Sequence, residues 1–430
     1  MLATAGTTNR VIAVNVAPAP VGVGGASWEH VRMISSFRIV AAWAAVPLVI
    51  AGCSTPAQKS AAPERSTGAE SSQVTPLSGP LQVPAAPAPP ACGDGAALLA
   101  SMSTRDKLAQ LLMVGVTGAA DARAVVNNSH VGGIMIGSWT DLSMLSDGTL
   151  ADIANVGPLP LAVSVDEEGG RVSRLKSLIG PAPSARDLAA TQTPDQVYNL
   201  ALSRGRQMRG LGITIDFAPV VDVSTQGADT VIGDRSFSGD PATVTTYAGA
   251  FARGLRDAGV LPVLKHFPGH GSGSGDSHTA GVVTTPPLES LMASDLVPYR
   301  TLTTEAPVAV MMGHLEVPGL TGNMPASLSP AAVGLLRSGG YGGPGFNGPV
   351  FSDDLSSMAA ISSRYGVAEA VLRSLQAGVD VALWITTAEV PAVLDRLEQA
   401  VADGELTMPA VENSVLRMAG IKGQSGRCGG

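Results

Sequence analysis

"LPLAVSVDEEGG", Leu159–Gly170, starts apolar and ends on three carboxylates and two glycines. From Leu159 to Val165 there is no alternation of apolar and polar positions. A strand with one wet face alternates, whereas a strand covered on both faces, as in a parallel sheet, reads as a continuous apolar run. The run then stops at Asp166. An ionised carboxylate is too costly to bury alone, so the end of this strand must open onto solvent or a partner.

Seven further runs share this character: "LAQLLMVGV" (108–116), "VGGIMIG" (131–137), "ITIDFAPVVDV" (213–223), "VLPVLKH" (260–266), "VAVMMGHL" (308–315), "GPVFSDD" (348–354) and "GVDVALWIT" (378–386). Amphipathic stretches lie between them. "PDQVYNLALSRGRQMRGLG" (194–212) and "PATVTTYAGAFARGLRDAG" (241–259) each begin with Pro after a polar residue and end near Gly, the expected helix punctuation. Eight strands alternating with helices predict an α/β fold, a single (β/α)8 TIM-type barrel. A doubly wound open sheet is the competing architecture, but no G-x-G-x-x-G follows the first run. That first run is the least distinct, since "TRDKLAQLLM" also reads as helix. After the eighth run the sequence predicts two closing helices.

The runs end at Asp166, Asp216, Lys265–His266, His314 and Asp353–Asp354. In a barrel these ends converge on one mouth, where active sites are found, so one charged pocket is expected there.

The chain has 430 residues, enough for one large core, with 51 Gly and 31 Pro. Its net charge is −8 and it contains no Lys/Arg run, which argues against a nucleic-acid partner. Residues 1–52 hold an N-terminal extension and a signal peptide. "MISSFRIVAAWAAVPLVIAGC" (33–53) has an early cation at Arg38, an apolar stretch too short to span a bilayer comfortably, and small residues before Cys53. The pattern resembles a bacterial lipobox, with Cys53 the acylated residue, Met33 the true start, and the protein exported and lipid-anchored to the outer face of the cell membrane. Residues 53–92, rich in Ala, Pro and Ser, cannot bury a core and read as a tether. Residues 93–430 form the barrel. Cys92 and Cys428 bracket it and are candidates for a disulfide clasp, which an exported protein tolerates.

Four motifs carry chemistry. In "FSDDL" (351–355) a buried strand leads into two carboxylates; Asp354 suits a helix cap and Asp353 a nucleophile or electrostatic partner. In "DEEGGRVSR" (166–174) the glycines permit a sharp turn, and Asp166 could accept hydrogen bonds from sugar hydroxyls or serve a metal. "IGDRSFSGDP" (232–241) supplies Arg235. "KHFPGHGSGSGDSH" (265–278) gathers Lys265, His266, His270, Asp276 and His278 on a glycine-rich loop. Asp276 lies two residues from His278 and can orient or polarise its imidazole for acid/base work. A mobile acid/base facing a fixed carboxylate is the arrangement that glycosyl transfer to water requires.

"DEEGGRV", "DFAPVVDV", "IGDRSF", "KHFPGHG…DSH" and "FSDDLSSM" together resemble glycoside hydrolase family 3, specifically its single-domain β-N-acetylglucosaminidases, over about residues 100–420. The resemblance implies exo-acting release of N-acetylglucosamine from peptidoglycan fragments with net retention. It implies Asp353 as nucleophile, His278 as general acid/base with Asp276 as partner, and Asp166, Arg235, Lys265 and His266 as the residues holding the sugar. No cofactor and no metal are called for, and a monomer is expected. Two features depart from the family pattern: a second serine before Met358, and the run of glycines before Asp276. The glycines predict a loop that swings out or loses order without substrate. Three other readings compete. A sugar-binding lipoprotein without catalysis fits the anchor but not the acid/base pair. A metal-dependent hydrolase would use His266, His270 and His278. Phosphorolytic cleavage by the same site is favoured by an acid/base histidine, which adds no second negative charge.

Overall fold

The computed structural model describes residues 95–422. Within them eight parallel strands form one sheet in the order the runs imply: β1 Leu112–Val116, β2 Gly133–Ile136, β3 Ala162–Val165, β4 Ile215–Asp216, β5 Leu261–Phe267, β6 Ala309–Met312, β7 Val350–Ser352 and β8 Ala382–Trp384. β1 pairs with β8, Leu112 opposite Ala382, as well as with β2, so the sheet curls back on itself. β7 and β8 meet at a Phe351–Val381 bridge, and Leu355 N donates to Leu383 O at 2.9 Å. This is the (β/α)8 barrel expected from the sequence.

Local signals place the outer helices. Helix Pro194–Gly210 starts on a capping box: Thr193 Oγ1 accepts from Gln196 N at 3.3 Å, and the Gln196 side chain accepts from Thr193 N at 2.8 Å. Such a cap contributes about 1 kcal/mol. Asp240 caps Pro241–Asp257 with its side chain alone, accepting from Thr243 N at 2.8 Å. These two helices pack closely because of a glycine: a Cβ on Gly254 would fall 2.5 Å from Tyr198 O.

The barrel interior is solid. Met113, Ile215, Phe217, Val263, Met311, Phe351 and Leu383 fill it, with Met418 from the closing helix Met408–Lys422 packed against them. Phe217 and Phe351 meet edge to face with centroids 5.6 Å apart. Phe351 directly precedes Ser352 and Asp353, so core packing fixes where that carboxylate emerges. Truncating such a core aromatic costs about 3–5 kcal/mol.

Two expectations about the runs are corrected. The first run straddles two elements, helix Thr104–Ala109 and then β1, because Ser103 caps the helix and only two residues separate it from the strand. The fourth run does not end at Asp216. The chain stays extended past cis-Pro219 and keeps pairing with β5: Val221 N donates to Lys265 O at 2.8 Å, and Val220 bridges Lys265. Asp216 sits opposite Pro262, three residues below Lys265, fully buried, and burial pushes its carboxyl well up. The residue of this run that reaches the mouth is Asp222.

Helices Val390–Ala402 and Met408–Lys422 close the chain as expected. Among the described residues no helix is long and apolar enough to cross a membrane. The signal peptide and extension expected at 1–52, the lipidation expected at Cys53, the tether expected at 53–92, and Cys92 and Cys428 lie outside the described residues.

Candidate active site

The mouth is floored by a charge cluster drawn from three strand ends. After β3 the chain forms a tight hairpin, Glu167–Gly169 against Val172–Ser173, with Gly169 and Gly170 at φ 93° and 55°. The hairpin aims alternate carboxylates in opposite directions. Glu167 points away and is fully used by Arg204, Ser173 Oγ and the backbone N–H of Arg174 and Leu175. Asp166 and Glu168 point to Lys265, whose Nζ lies 2.6 Å from each. Glu168 also takes a two-pronged contact from Arg235, Nε and Nη2 both at 2.8 Å. Burial pushes the Glu168 carboxyl up, but Arg235 and Lys265 outweigh it and hold it well below the usual range. Burial would lower Lys265, but Asp166 and Glu168 reverse this and keep it charged. The result is a dry, ordered set of donors and acceptors with Asp166 still partly open to solvent, 18 % by side chain.

His266 joins this cluster. Its Nδ1 donates to Asp222 Oδ2 at 2.7 Å, and its Nε2 faces Arg235 Nη2 at 3.4 Å. Asp222 Oδ1 accepts from the backbone N–H of His270 at 2.7 Å and of His266 at 3.2 Å. One buried carboxylate thus organises the whole Lys265–His270 turn.

Asp353 emerges from β7 with its backbone N–H bonded to Met312 O at 3.1 Å, and its Oδ1 accepts from Asp354 N at 2.9 Å. Burial raises its carboxyl, yet the histidines His314, His266 and His278 around it prevail and bring it down to about 2. It is therefore ionised at any ordinary pH. His314 is buried beneath it; Nε2 donates to Asp354 O and Nδ1 accepts from Ser327 Oγ, both at 2.7 Å. Burial lowers its pKa. His314 is thus a strut under the strand end. Asp354 turns aside to cap the following turn, accepting from Ser356 N at 2.8 Å, from Ser357 N at 3.1 Å and from both serine hydroxyls. This is the capping role that the sequence suggested, and the second serine has its place in it.

The glycine-rich loop carries the last pair. His278 Nδ1 lies 2.7 Å from Asp276 Oδ1, which also accepts from His278 N at 2.9 Å. Both side chains are exposed while Ser277 between them is buried. In this structure the loop is docked: Ala359 N donates to His278 O and Ala360 N to Ser277 O, each at 3.2 Å. The helix start just after Asp353 thereby holds the loop to the mouth. An ionised carboxylate below and an imidazole–carboxylate pair above can attack and protonate opposite sides of one bond.

A family model described as "Glycosyl hydrolase family 3 N terminal domain" matches residues 103–421. The chain belongs to glycosyl hydrolase family 3. A β-hexosaminidase of Mycobacterium tuberculosis, LpqI, is 65 % identical over 398 residues, 91 % of this chain and 99 % of that protein. A solved family 3 structure from Mycobacterium smegmatis superposes with a TM-score of 0.75 at 75 % identity, covering 76 % of this chain and 98 % of that one. A family 3 β-N-acetylglucosaminidase from a Paenibacillus species gives 0.70 at 33 % identity, over 75 % and 62 % of the two chains. The protein is a glycoside hydrolase.

For this family 3 hydrolase the sequence-predicted residues fall into two groups. Asp166, Arg235, Lys265 and His266 share one hydrogen-bonded cluster; Asp353 stands apart from it, with Asp276 and His278 on the overlying loop. The three imidazoles considered as a metal set do not converge, because His266 is committed to Asp222 and Arg235, His270 faces Ser277 Oγ at 3.4 Å, and His278 is turned to Asp276. Sequence reasoning missed Glu168 and Asp222. Both stand inside motifs already singled out, and a carboxylate flanked by Val221 and Val223 is itself a sign that a buried partner exists. A cavity of about 1040 Å³ opens at the opposite end of the barrel; its described lining, including Arg209, Arg256 and Lys422, holds no carboxylate and cannot supply this chemistry.

Proposed function

We propose that this family 3 hydrolase is an exo-acting β-N-acetylglucosaminidase that removes terminal N-acetylglucosamine from peptidoglycan fragments by double displacement with net retention. The observation that carries this reading is the pairing of Asp353, ionised at the foot of the mouth, with the His278–Asp276 pair on the loop docked above it. In this reading Asp353 attacks C1 and forms a glycosyl–enzyme ester. His278 gives its proton to the departing oxygen, helped by Asp276, and then takes one from the incoming water. Asp166, Arg235, Lys265 and His266 hold the hydroxyls and the acetamido group. The relatives named β-hexosaminidase and β-N-acetylglucosaminidase support the sugar; the lipobox-like Cys53 supports an exported, membrane-anchored enzyme acting on wall material.

The test is hydrolysis of p-nitrophenyl N-acetyl-β-glucosaminide by wild type, Asp353→Ala and His278→Ala, with the first-formed anomer followed by NMR. Release by wild type as the β-anomer, and its loss in Asp353→Ala, is expected. An α-anomer as first product rules out double displacement. Repeating the assay in phosphate decides between water and phosphate as acceptor, since phosphorolysis leaves the sugar 1-phosphate.

A further inference from the structure

β2 ends beside the sugar cluster. Ile136 pairs with Val165, which sets Gly137 level with Asp166. The turn that follows is locked. Thr140 Oγ1 accepts from Gly137 N at 2.9 Å and donates to Val116 O at 2.6 Å, and Asp141 N donates to Thr117 O at 2.9 Å. Trp139 sits in this turn, and its six-membered ring lies against Gly137: a Cβ there would come within 2.5 Å of three ring atoms. The residue remains 41 % exposed, the one aromatic among the large exposed hydrophobics of the described residues. A tryptophan held by rigid backbone, with part of its ring open at the rim of a polar cleft, is a preorganised contact surface.

We propose that Trp139 is the platform for the leaving-group sugar, stacking its indole on the apolar C–H face of the second saccharide ring. The proposal rests on the glycosidase reading above and adds a subsite to it. Asp166 and its partners hold the terminal sugar, and the level of Gly137 sets the indole at the edge of that site. Aromatic face to ring C–H face orients the second sugar without demanding one pattern of hydroxyls, so the platform accepts any 1,4-linked hexosamine in the leaving position.

The test compares two donors on the full chain. N-acetyl-β-glucosaminyl fluoride has a one-atom leaving group, whereas N,N′-diacetylchitobiose has a sugar. In Trp139→Ala, kcat/KM for the disaccharide is expected to fall about tenfold or more, the scale of a lost aromatic anchor, while the fluoride changes by less than about twofold. Trp139→Phe, which keeps a ring, is expected to retain most of the disaccharide activity. An equal fall on both donors, or no fall on the disaccharide, overturns the platform. Wild type that turns over neither donor overturns the N-acetylglucosaminidase reading itself, and the platform falls with it.

Discussion

The Asp222 carboxylate receives the His266 Nδ1–H at 2.7 Å and, with its other oxygen, the His270 N–H at 2.7 Å. Burial raises the Asp222 carboxyl, but the nearby histidines bring it below its ordinary range, so it is a standing negative charge behind the sugar cluster. It fixes which His266 nitrogen faces the mouth. Asp222→Asn keeps the volume and loses that charge. Its kcat/KM is expected to fall about tenfold or more, through loss of the fixed His266 orientation. Unfolding free energy should drop by about 1.5–3 kcal/mol, the range for hydrogen bonds to a charged group. Kinetics and urea unfolding of the variant check both; unchanged kinetics would show that His266 needs no orientation.

Glu168 neutralises two cations at once, Lys265 and Arg235. Glu168→Gln leaves them facing each other with Asp166 and, for Arg235, Asp222 as the remaining counter-charges, and breaking a buried pair in this way costs about 3–5 kcal/mol. The pH dependence has a definite sign. The folded carboxyl titrates below its unfolded value, so its stabilisation is present above about pH 4 and is lost as pH falls toward the folded value. The stability gap between wild type and Glu168→Gln should therefore narrow when unfolding is measured at pH 3 instead of pH 7. A gap that stays constant would mean that the charge of Glu168 is not what stabilises the cluster.

Asp295 runs the other way. It is buried behind the Gly269–Gly271 turn, accepts from Val223 N at 3.1 Å and Gly271 N at 3.2 Å, and receives the Ser294 hydroxyl at 2.9 Å. Burial first, then the negative Asp222, push its carboxyl up to about 6. With the folded value raised, its favourable contribution is present below about pH 4 and is lost as pH rises through 6. Asp295→Asn keeps an acceptor for both amides and carries no charge. It should be more stable than wild type at pH 8, by about 3 kcal/mol, and no more stable at pH 4. Melting temperatures at the two pH values decide, and a variant destabilised at pH 8 would contradict the assignment.

The barrel was legible because buried parallel strands leave unbroken apolar runs, and the strand-end acids Asp166 and Asp353 were legible because a run stops at each. What the sequence concealed depends on neighbours distant along the chain. Glu168 gains its meaning from Arg235 and Lys265, 67 and 97 residues later. Asp222 is organising only because the fourth run continues past cis-Pro219 at a level that reaches His266, and a run of "DFAPVVDV" gives no sign of which aspartate stands at the mouth. Apolar periodicity marks where Leu108–Val116 is buried, but not where helix gives way to strand.

A serine of the glycine-rich loop gives the last test. Ser277 is buried between two exposed neighbours, its Oγ 3.4 Å from His270 Nε2 and its carbonyl bonded to Ala360 N. Burial lowers the His270 imidazole to about 4, so it faces the loop uncharged at neutral pH. Ser277→Ala removes the side-chain contact and leaves the backbone bonds. The loop at 272–283 should open more often, and amide exchange there should quicken by about fivefold or more, since one hydrogen bond is worth about 1 kcal/mol. The barrel strands should not change. Because fluoride departs with little need of a proton from His278, kcat/KM, which reports the first step, should fall for the disaccharide and hardly at all for the fluoride donor; the second step, in which His278 takes a proton from water, is common to both donors. Faster exchange with both rates unchanged would mean that docking of the loop is not required for proton transfer.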